Sequence, residues 1–149
     1  MIQLQVLPRV AVEGKTFDDD TLVISISSPR QEPPKINAKY VHVYHFEDVT
    51  EEYKLPANDY RDELIVAPMG YEIAEAIVEV VWNNMDKKKW VIHCEAGISR
   101  SPGVAIALSR FFNTCPNESK LRELFPGFNT HVHSCIVNIM WTKVQTMRG

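Results

Sequence analysis

The chain has 149 residues, of which 45% are apolar and 23% are charged, and its formal net charge is −3 at pH 7. This length suits one compact domain over residues 1–149, with enough apolar side chains to bury a core. The slightly acidic balance argues against nucleic acid as a partner, because binding to a phosphate backbone needs a basic field. No apolar run approaches the roughly 20 residues of a membrane-spanning helix, so no membrane association is expected.

The three cysteines, Cys94, Cys115 and Cys135, are too few and odd in number for a disulfide framework. The first residues do not combine a basic start with a long apolar run, so no signal peptide is expected. Both observations predict a reducing, cytoplasmic location.

The strands are predicted from short runs that are rich in β-branched and aromatic residues and are bounded by turn residues. These runs are Ile2–Leu7, Leu22–Ser27, Tyr40–Phe46 and Trp90–His93. The Pro-rich stretch Ser28–Lys35 is interpreted as a loop between the second and third strands. Because Trp90–His93 is apolar throughout and follows a polar stretch, it is typical of a buried central strand.

Helices are predicted between and after these strands, over Tyr71–Trp82, Ser101–Phe112, a short segment from the cap Asn117 to about Phe125, and a last helix capped by Asn129 or Thr130. On the last helix one face is apolar: Val132, Ile136, Ile139, Met140 and Val144. One buried strand that leads directly into a helix indicates an α/β fold, a single sheet flanked by helices with a crossover connection. In such folds ligands bind at the carboxyl ends of the strands.

The loop between the buried strand and its helix has an unusual composition, from His93 to Ser101. Cys94 ends the strand and faces a helix N-terminus, where unpaired N–H groups and the helix dipole favour a thiolate. Gly97 can take backbone conformations that other residues avoid, so the loop can curl into a nest of inward N–H groups. The planar fork of Arg100 matches two oxygens of a phosphate. The loop therefore favours an anion site beside a nucleophile.

These residues spell His-Cys-x-x-Gly-x-x-Arg-Ser, and on this motif the chain resembles the cysteine-dependent protein tyrosine phosphatase superfamily, in particular its small dual-specificity members. The resemblance implies a strand–phosphate-loop–helix active site that hydrolyses phosphomonoesters through a cysteinyl-phosphate. Cys94 would be the nucleophile, and Ser101 would donate to its sulfur when the thiolate leaves. The phosphate would be bound by the Arg100 side chain and by the loop backbone of Glu95, Ala96, Gly97, Ile98, Ser99 and Arg100.

The family also uses an aspartate on a separate upstream loop as general acid, and three residues compete for this role. Asp48 directly follows the strand Tyr40–Phe46, where an acid loop should begin, and the stretch Thr50–Pro68 is interpreted as an insertion after it. Asp59 and Asp62 lie closer to Cys94 along the chain, at a spacing more usual in small dual-specificity enzymes. Because loop insertions change spacing freely, Asp48 is preferred.

The variable positions of the loop carry no lysine and include the acidic Glu95, which disfavours a multiply phosphorylated ring as substrate. A phosphorylated protein or peptide, on tyrosine or on serine and threonine, is the expected partner. The alternative from another class is a phosphate-binding module that has lost turnover because it lacks a competent acid.

Other polar residues are open to two interpretations. The histidines His42, His45, His131 and His133 lack partners in a ligand pattern, so no metal is expected, and no organic cofactor is implied. Cys115 and Cys135, which are expected near helix ends or on apolar helix faces, could resolve an oxidised Cys94 but are better explained by packing. Asn129 could support the phosphate loop or cap a helix.

Overall fold

The computed structural model describes residues 1–148; Gly149, the last residue of the predicted domain, lies outside the described residues. The fold is α/β, with a five-stranded central sheet in the order β3-β2-β6-β1-β7 and a separate antiparallel pair β4-β5. All pairings within the central sheet are parallel. The strands are β1 (Ile2–Pro8), β2 (Thr21–Ser27), β3 (Tyr40–His45), β4 (Tyr53–Leu55), β5 (Leu64–Val66), β6 (Lys89–Cys94) and β7 (Thr114–Cys115).

The predicted strands are confirmed as β1, β2, β3 and β6, with ends that differ by one residue. Every residue of β2 is buried, and β6 is buried from Trp90 onward, because these strands lie inside the sheet with both faces covered. The two-residue strand β7 was not predicted, since so short a segment has no periodicity. The predicted insertion Thr50–Pro68 contains β4 and β5, which pair with each other and stay outside the central sheet.

The helices are α1 (Arg9–Val12), α2 (Tyr71–Trp82), α3 (Arg100–Ser109), α4 (Glu118–Leu124) and α5 (Thr130–Arg148). The bounds predicted for α2 are confirmed, whereas α3 ends at Ser109 and not at Phe112. The N–H groups of Phe111 and Phe112 both donate to Leu108 O, which closes the helix in a turn. The Phe112 ring then packs edge-on against Trp90 of β6, with 5.1 Å between centroids. The early end of α3 therefore places this ring in the core.

The last two helices are each capped at the N-terminus by an asparagine. Asn117 Oδ1 accepts from Lys120 N at 3.0 Å and caps α4. Asn129 Oδ1 accepts from Val132 N at 3.0 Å and caps α5, so Asn129 and not Thr130 is the capping residue.

The main core lies between the sheet and the helices α2 to α5, and it includes the predicted apolar face of α5. A smaller cluster around Val12, Val23 and Val91 covers the opposite face of the sheet, under α1 and the loop before β3. None of the helices in residues 1–148 has the combination of length and apolar character that crossing a bilayer would require. Because β1, β2, β3 and β6 are parallel, their carboxyl ends meet at one edge of the sheet. The candidate site is built there.

Candidate active site

The loop after β6 is shaped by Gly97. Its φ of +71° lies in the left-handed region, which side chains other than glycine rarely adopt. A Cβ at this position would lie 2.7 Å from Pro8 N and 2.9 Å from Leu7 C, both backbone atoms at the end of β1. The loop therefore curls tightly against the neighbouring strand, and only glycine fits both the conformation and the space.

The backbone N–H groups and the backbone carbonyls of the loop differ in their hydrogen bonding. Two of its carbonyls accept hydrogen bonds from the protein: Glu95 O accepts from Arg9 N at 3.0 Å, and Ser99 O accepts from Gly103 N and Asn129 N, both at 3.0 Å. Within residues 1–148, the N–H groups of residues 95–99 donate to no protein acceptor. Free N–H groups that follow one another in a tight loop form a concave site for an anion.

Cys94 lies at the base of this loop, where β6 ends, and is only 2% exposed. Its Sγ lies 3.1 Å from Ser101 Oγ, in the first turn of α3. The preceding residue, His93, is fully buried, with Nε2 2.5 Å from Ser25 Oγ and Nδ1 3.4 Å from Cys94 O. Burial lowers the pKa of His93 below its ordinary value, so the ring is held neutral. His93 therefore orders the end of β6 and adds no positive charge beside the thiol.

Arg100 is 5% exposed, and only one side of its guanidinium has a fixed partner. Its Nη1 donates to Phe46 O at 2.8 Å and to Ser28 Oγ at 3.2 Å, so the ends of β3 and β2 orient the group. Its Nε is buried without any hydrogen-bond partner. An unsatisfied donor on a buried cation is costly unless an anion occupies the site. Ser28 and Phe46 were not identified from the sequence, because they contact Arg100 only after the strands have assembled.

Asp48 contacts the loop after β6 directly. Its Oδ1 accepts from Ser99 Oγ at 2.7 Å and from Asn129 Nδ2 at 2.9 Å. Asp59 and Asp62 are exposed in the connection between β4 and β5, and within residues 1–148 neither carboxylate forms a hydrogen bond with residues 93–101. Of the three candidate acids, Asp48 is the one that the fold brings to the loop.

Asn129 joins three parts of the site. Its Nδ2 donates to Asp48 Oδ1 and, at 3.2 Å, to Val49 O; its backbone N–H donates to Ser99 O; and its Oδ1 caps α5. The two roles considered for Asn129 from the sequence are therefore both present. Gly103 makes the approach possible, because a Cβ there would lie 2.8 Å from Asn129 O. The sequence does not indicate that residue 103 must be glycine, because Gly103 and Asn129 are far apart in the chain and belong to different helices.

Within residues 1–148, the remaining cysteines form no hydrogen bond with residues 93–101. Cys115 pairs with Gln3 at the start of β1, whereas Cys94 pairs with Pro8 at its end, so the two thiols lie toward opposite ends of the sheet. Cys115 lies on β7, shortly before the first residue of α4, and is exposed, so the packing role expected for it is wrong. Cys135 lies on α5, and its Sγ is 3.4 Å from His131 Nε2. Among the described residues, no cluster of three or more histidine, cysteine or acidic side chains could hold a metal.

The site thus combines a buried thiol beside a hydroxyl, a nest of free N–H groups, a half-partnered guanidinium and a carboxylate on the rim. These groups can supply a nucleophile, an anion site and a proton donor. Comparisons of the chain with protein-family models, with curated proteins and with solved structures returned no match.

Proposed function

We propose that this chain is a cysteine-dependent phosphomonoesterase, of the protein tyrosine or dual-specificity type, that acts through a cysteinyl-phosphate. The observation that carries the proposal is the unpartnered Nε of the buried Arg100, at the end of a loop whose N–H groups are also unpartnered. Together these donors match the oxygens of a tetrahedral dianion. A neutral or cationic ligand would leave the same donors unsatisfied.

In the first step the thiolate of Cys94 attacks phosphorus. The S–P bond forms as the bond between phosphorus and the ester oxygen breaks, and the electron pair of that bond goes to the leaving oxygen. Asp48, in its protonated form, gives its proton to this oxygen, which leaves as an alcohol or phenol. The loop N–H groups and Arg100 hold the other phosphate oxygens throughout, so catalysis depends on positioning and on electrostatic stabilisation.

In the second step water attacks the cysteinyl-phosphate. Asp48, now ionised, accepts a proton from the water as the new P–O bond forms and the S–P bond breaks. Sulfur leaves as thiolate, and the hydroxyl of Ser101, 3.1 Å from Sγ in this structure, donates to it as charge develops. Inorganic phosphate is released, and the overall reaction consumes one water molecule.

We assign a phosphorylated protein side chain as the substrate class. The exposed side chains of the loop are those of Glu95, Ala96 and Ile98, so no lysine or arginine beyond Arg100 projects from the loop to bind a second phosphate. Glu95 Oε2 accepts from Gln31 Nε2 at 2.8 Å, which holds a negative charge at the rim. This charge disfavours a substrate that carries several phosphates.

Hydrolysis of p-nitrophenyl phosphate at about pH 6 tests the activity, because a general acid and a thiolate are both expected to function there. We expect turnover that vanadate inhibits and that Cys94→Ser abolishes. Cys115→Ser, at the other end of the sheet, is the matched control and retains the wild-type rate. If the folded wild-type chain binds vanadate but shows no turnover, the phosphate-binding module without catalysis is correct and the enzyme proposal is wrong.

A substrate panel tests the assigned class. With the same enzyme preparation, we expect higher kcat/KM for phosphopeptides than for a phosphoinositide with several phosphates. A preference for the phosphoinositide would contradict the assignment while leaving the phosphomonoesterase chemistry intact.

A further inference from the structure

A cleft of about 430 Å³ opens beside the phosphate loop, between the segment after β3 and the connection from α4 to α5. It contains two residues of the site, Asp48 and Ser99. The side chains of the lining that could contact a substrate include those of Glu51 and Tyr53, near β4, and that of Phe128, before α5. A substrate whose phosphate lies in the loop would therefore place its neighbouring residues at the entrance of this cleft.

The chemistry of the cleft is acidic and aromatic. Its lining includes the carboxylates of Asp48 and Glu51 and the rings of Tyr53 and Phe128, but no lysine or arginine. Within residues 1–148, Glu51 takes part in no salt bridge. Arg122 lies outside the lining, 5.3 Å from the Phe128 centroid, and is paired with a glutamate of α4. Among the described residues, the carboxylate of Glu51 is therefore free to pair with a cation of a substrate.

A guanidinium or ammonium group complements such a cleft in two ways. It is attracted to the carboxylate of Glu51, and it can lie against the exposed ring of Tyr53. An acidic side chain in the same place would be repelled by the carboxylate of Glu51. The phosphate itself is held by the buried Arg100, whose Nε has no other partner, so the cleft acts only on the residues beside the phosphorylated one.

We propose that Glu51 is a specificity-determining residue that selects phosphoprotein substrates with an arginine or lysine close to the phosphorylated residue. This inference rests on the proposed phosphatase function and deepens it. The phosphate loop binds only the phosphate, so the charge of the flanking residues is recognised by Glu51.

The test compares kcat/KM for phosphotyrosine peptides that are identical except for arginine or glutamate at the positions flanking the phosphotyrosine. For the wild-type enzyme we expect about a fivefold preference for the arginine peptides at low salt, in line with a partly exposed charge pair. The preference should shrink at about 0.5 M salt, where screening acts over a few ångströms. Glu51→Gln should weaken the preference, and Glu51→Lys should reverse it.

Glu75→Lys is the matched control, because it makes the same change in net charge on α2, where Glu75 lines a different groove. We expect it to keep the wild-type preference. Equal kcat/KM for the two peptide sets in the wild type, an unchanged preference in Glu51→Lys, or an equal reversal in Glu75→Lys would each overturn the role of Glu51. Hydrolysis of p-nitrophenyl phosphate separates these results from failure of the proposed function: turnover without a charge preference defeats this inference alone, whereas a chain without turnover defeats both.

Discussion

The loop that we propose as the phosphate site and the segment that carries the proposed acid (residues 46–49, the acid segment) contribute to the same site but are built in different ways. The loop is contiguous, and its central contact joins Cys94 to Ser101, seven residues apart. The acid segment reaches the site through Asp48, whose partners Ser99 and Asn129 lie 51 and 81 residues away. A site segment whose contacts are local can be recognised from its amino-acid sequence. The position of a segment held by distant partners is known only when the whole sheet has assembled.

Gly97→Ala is expected to have the largest effect on the loop, although it changes no reacting group. The new Cβ requires a strained φ and meets the backbone of β1 at 2.7 Å. We expect a loss of about 2–4 kcal/mol in unfolding free energy. We also expect kcat/KM to fall by about 100-fold or more, because small displacements of catalytic groups are costly. Urea unfolding and p-nitrophenyl phosphate turnover measure the two effects.

Gly70→Ala is the control for this substitution, since a Cβ at Gly70 meets nothing within 4 Å and its φ is −76°. It should retain stability and activity. Wild-type turnover in Gly97→Ala would show that the left-handed conformation at residue 97 is not needed for catalysis.

Asp48→Asn tests whether the acid segment contributes as much to kcat as the loop does. With a poor leaving group, such as an unactivated phenyl phosphate, we expect kcat to fall by about 100-fold to 1,000-fold, the usual contribution of a general acid. The loss should be smaller with p-nitrophenyl phosphate, whose leaving group needs less protonation. Asp59→Asn and Asp62→Asn, in the exposed hairpin connection, should keep the wild-type rate. If one of them loses rate instead, the acid lies on the hairpin.

The sequence was most informative where local chemistry constrains the chain. The strands β2 and β6 are apolar throughout because they lie inside a parallel sheet, and the Cys94–Ser101 loop needs glycine and arginine at fixed positions. The proposed role of Asp48 is indicated by its position at the end of a strand, whereas linear spacing favours Asp62. Ser28 and Gly103 could not be predicted: one is an ordinary loop serine until Arg100 reaches it, and the other matters only because α5 approaches α3.

Asn129→Ala removes the amide that links the acid segment to α5 and leaves every reacting group in place, so Asn129 is a positioning residue. The substitution leaves Asp48 Oδ1 with Ser99 alone and removes the cap of α5. We expect a destabilisation of about 1–3 kcal/mol and a loss of about tenfold in kcat with the poor leaving group. The loss should be smaller with p-nitrophenyl phosphate, a difference that a purely structural role would not produce.

Asn117→Ala is the matched control, because Asn117 caps α4 with the same type of bond and contacts no part of the site. It should cost about 1 kcal/mol in stability and leave kcat unchanged for both substrates. Equal losses in the two variants would mean that Asn129 acts only through the helix.

The smallest expected effect concerns His93, which links the loop to the sheet through Ser25. Burial lowers its pKa in the folded state, so below the ordinary pKa of about 6.5 the unfolded chain binds the proton more readily. The stabilisation from the neutral ring is therefore fully present above that pH and is lost as the pH falls. His133, whose pKa burial also lowers, contributes in the same direction.

We therefore expect the melting temperature of the wild type to fall between about pH 7 and pH 5, and to fall less steeply in His93→Gln, which has no ring to protonate. His42→Gln, on the edge strand β3, is the control and should follow the wild-type slope. His93→Gln should also be less stable at pH 7, because a shorter amide does not reproduce the contact with Ser25 at the end of the central strand. An equally steep slope in His93→Gln would mean that the loop's attachment to the sheet is insensitive to this proton, and that the pH response arises elsewhere in the chain.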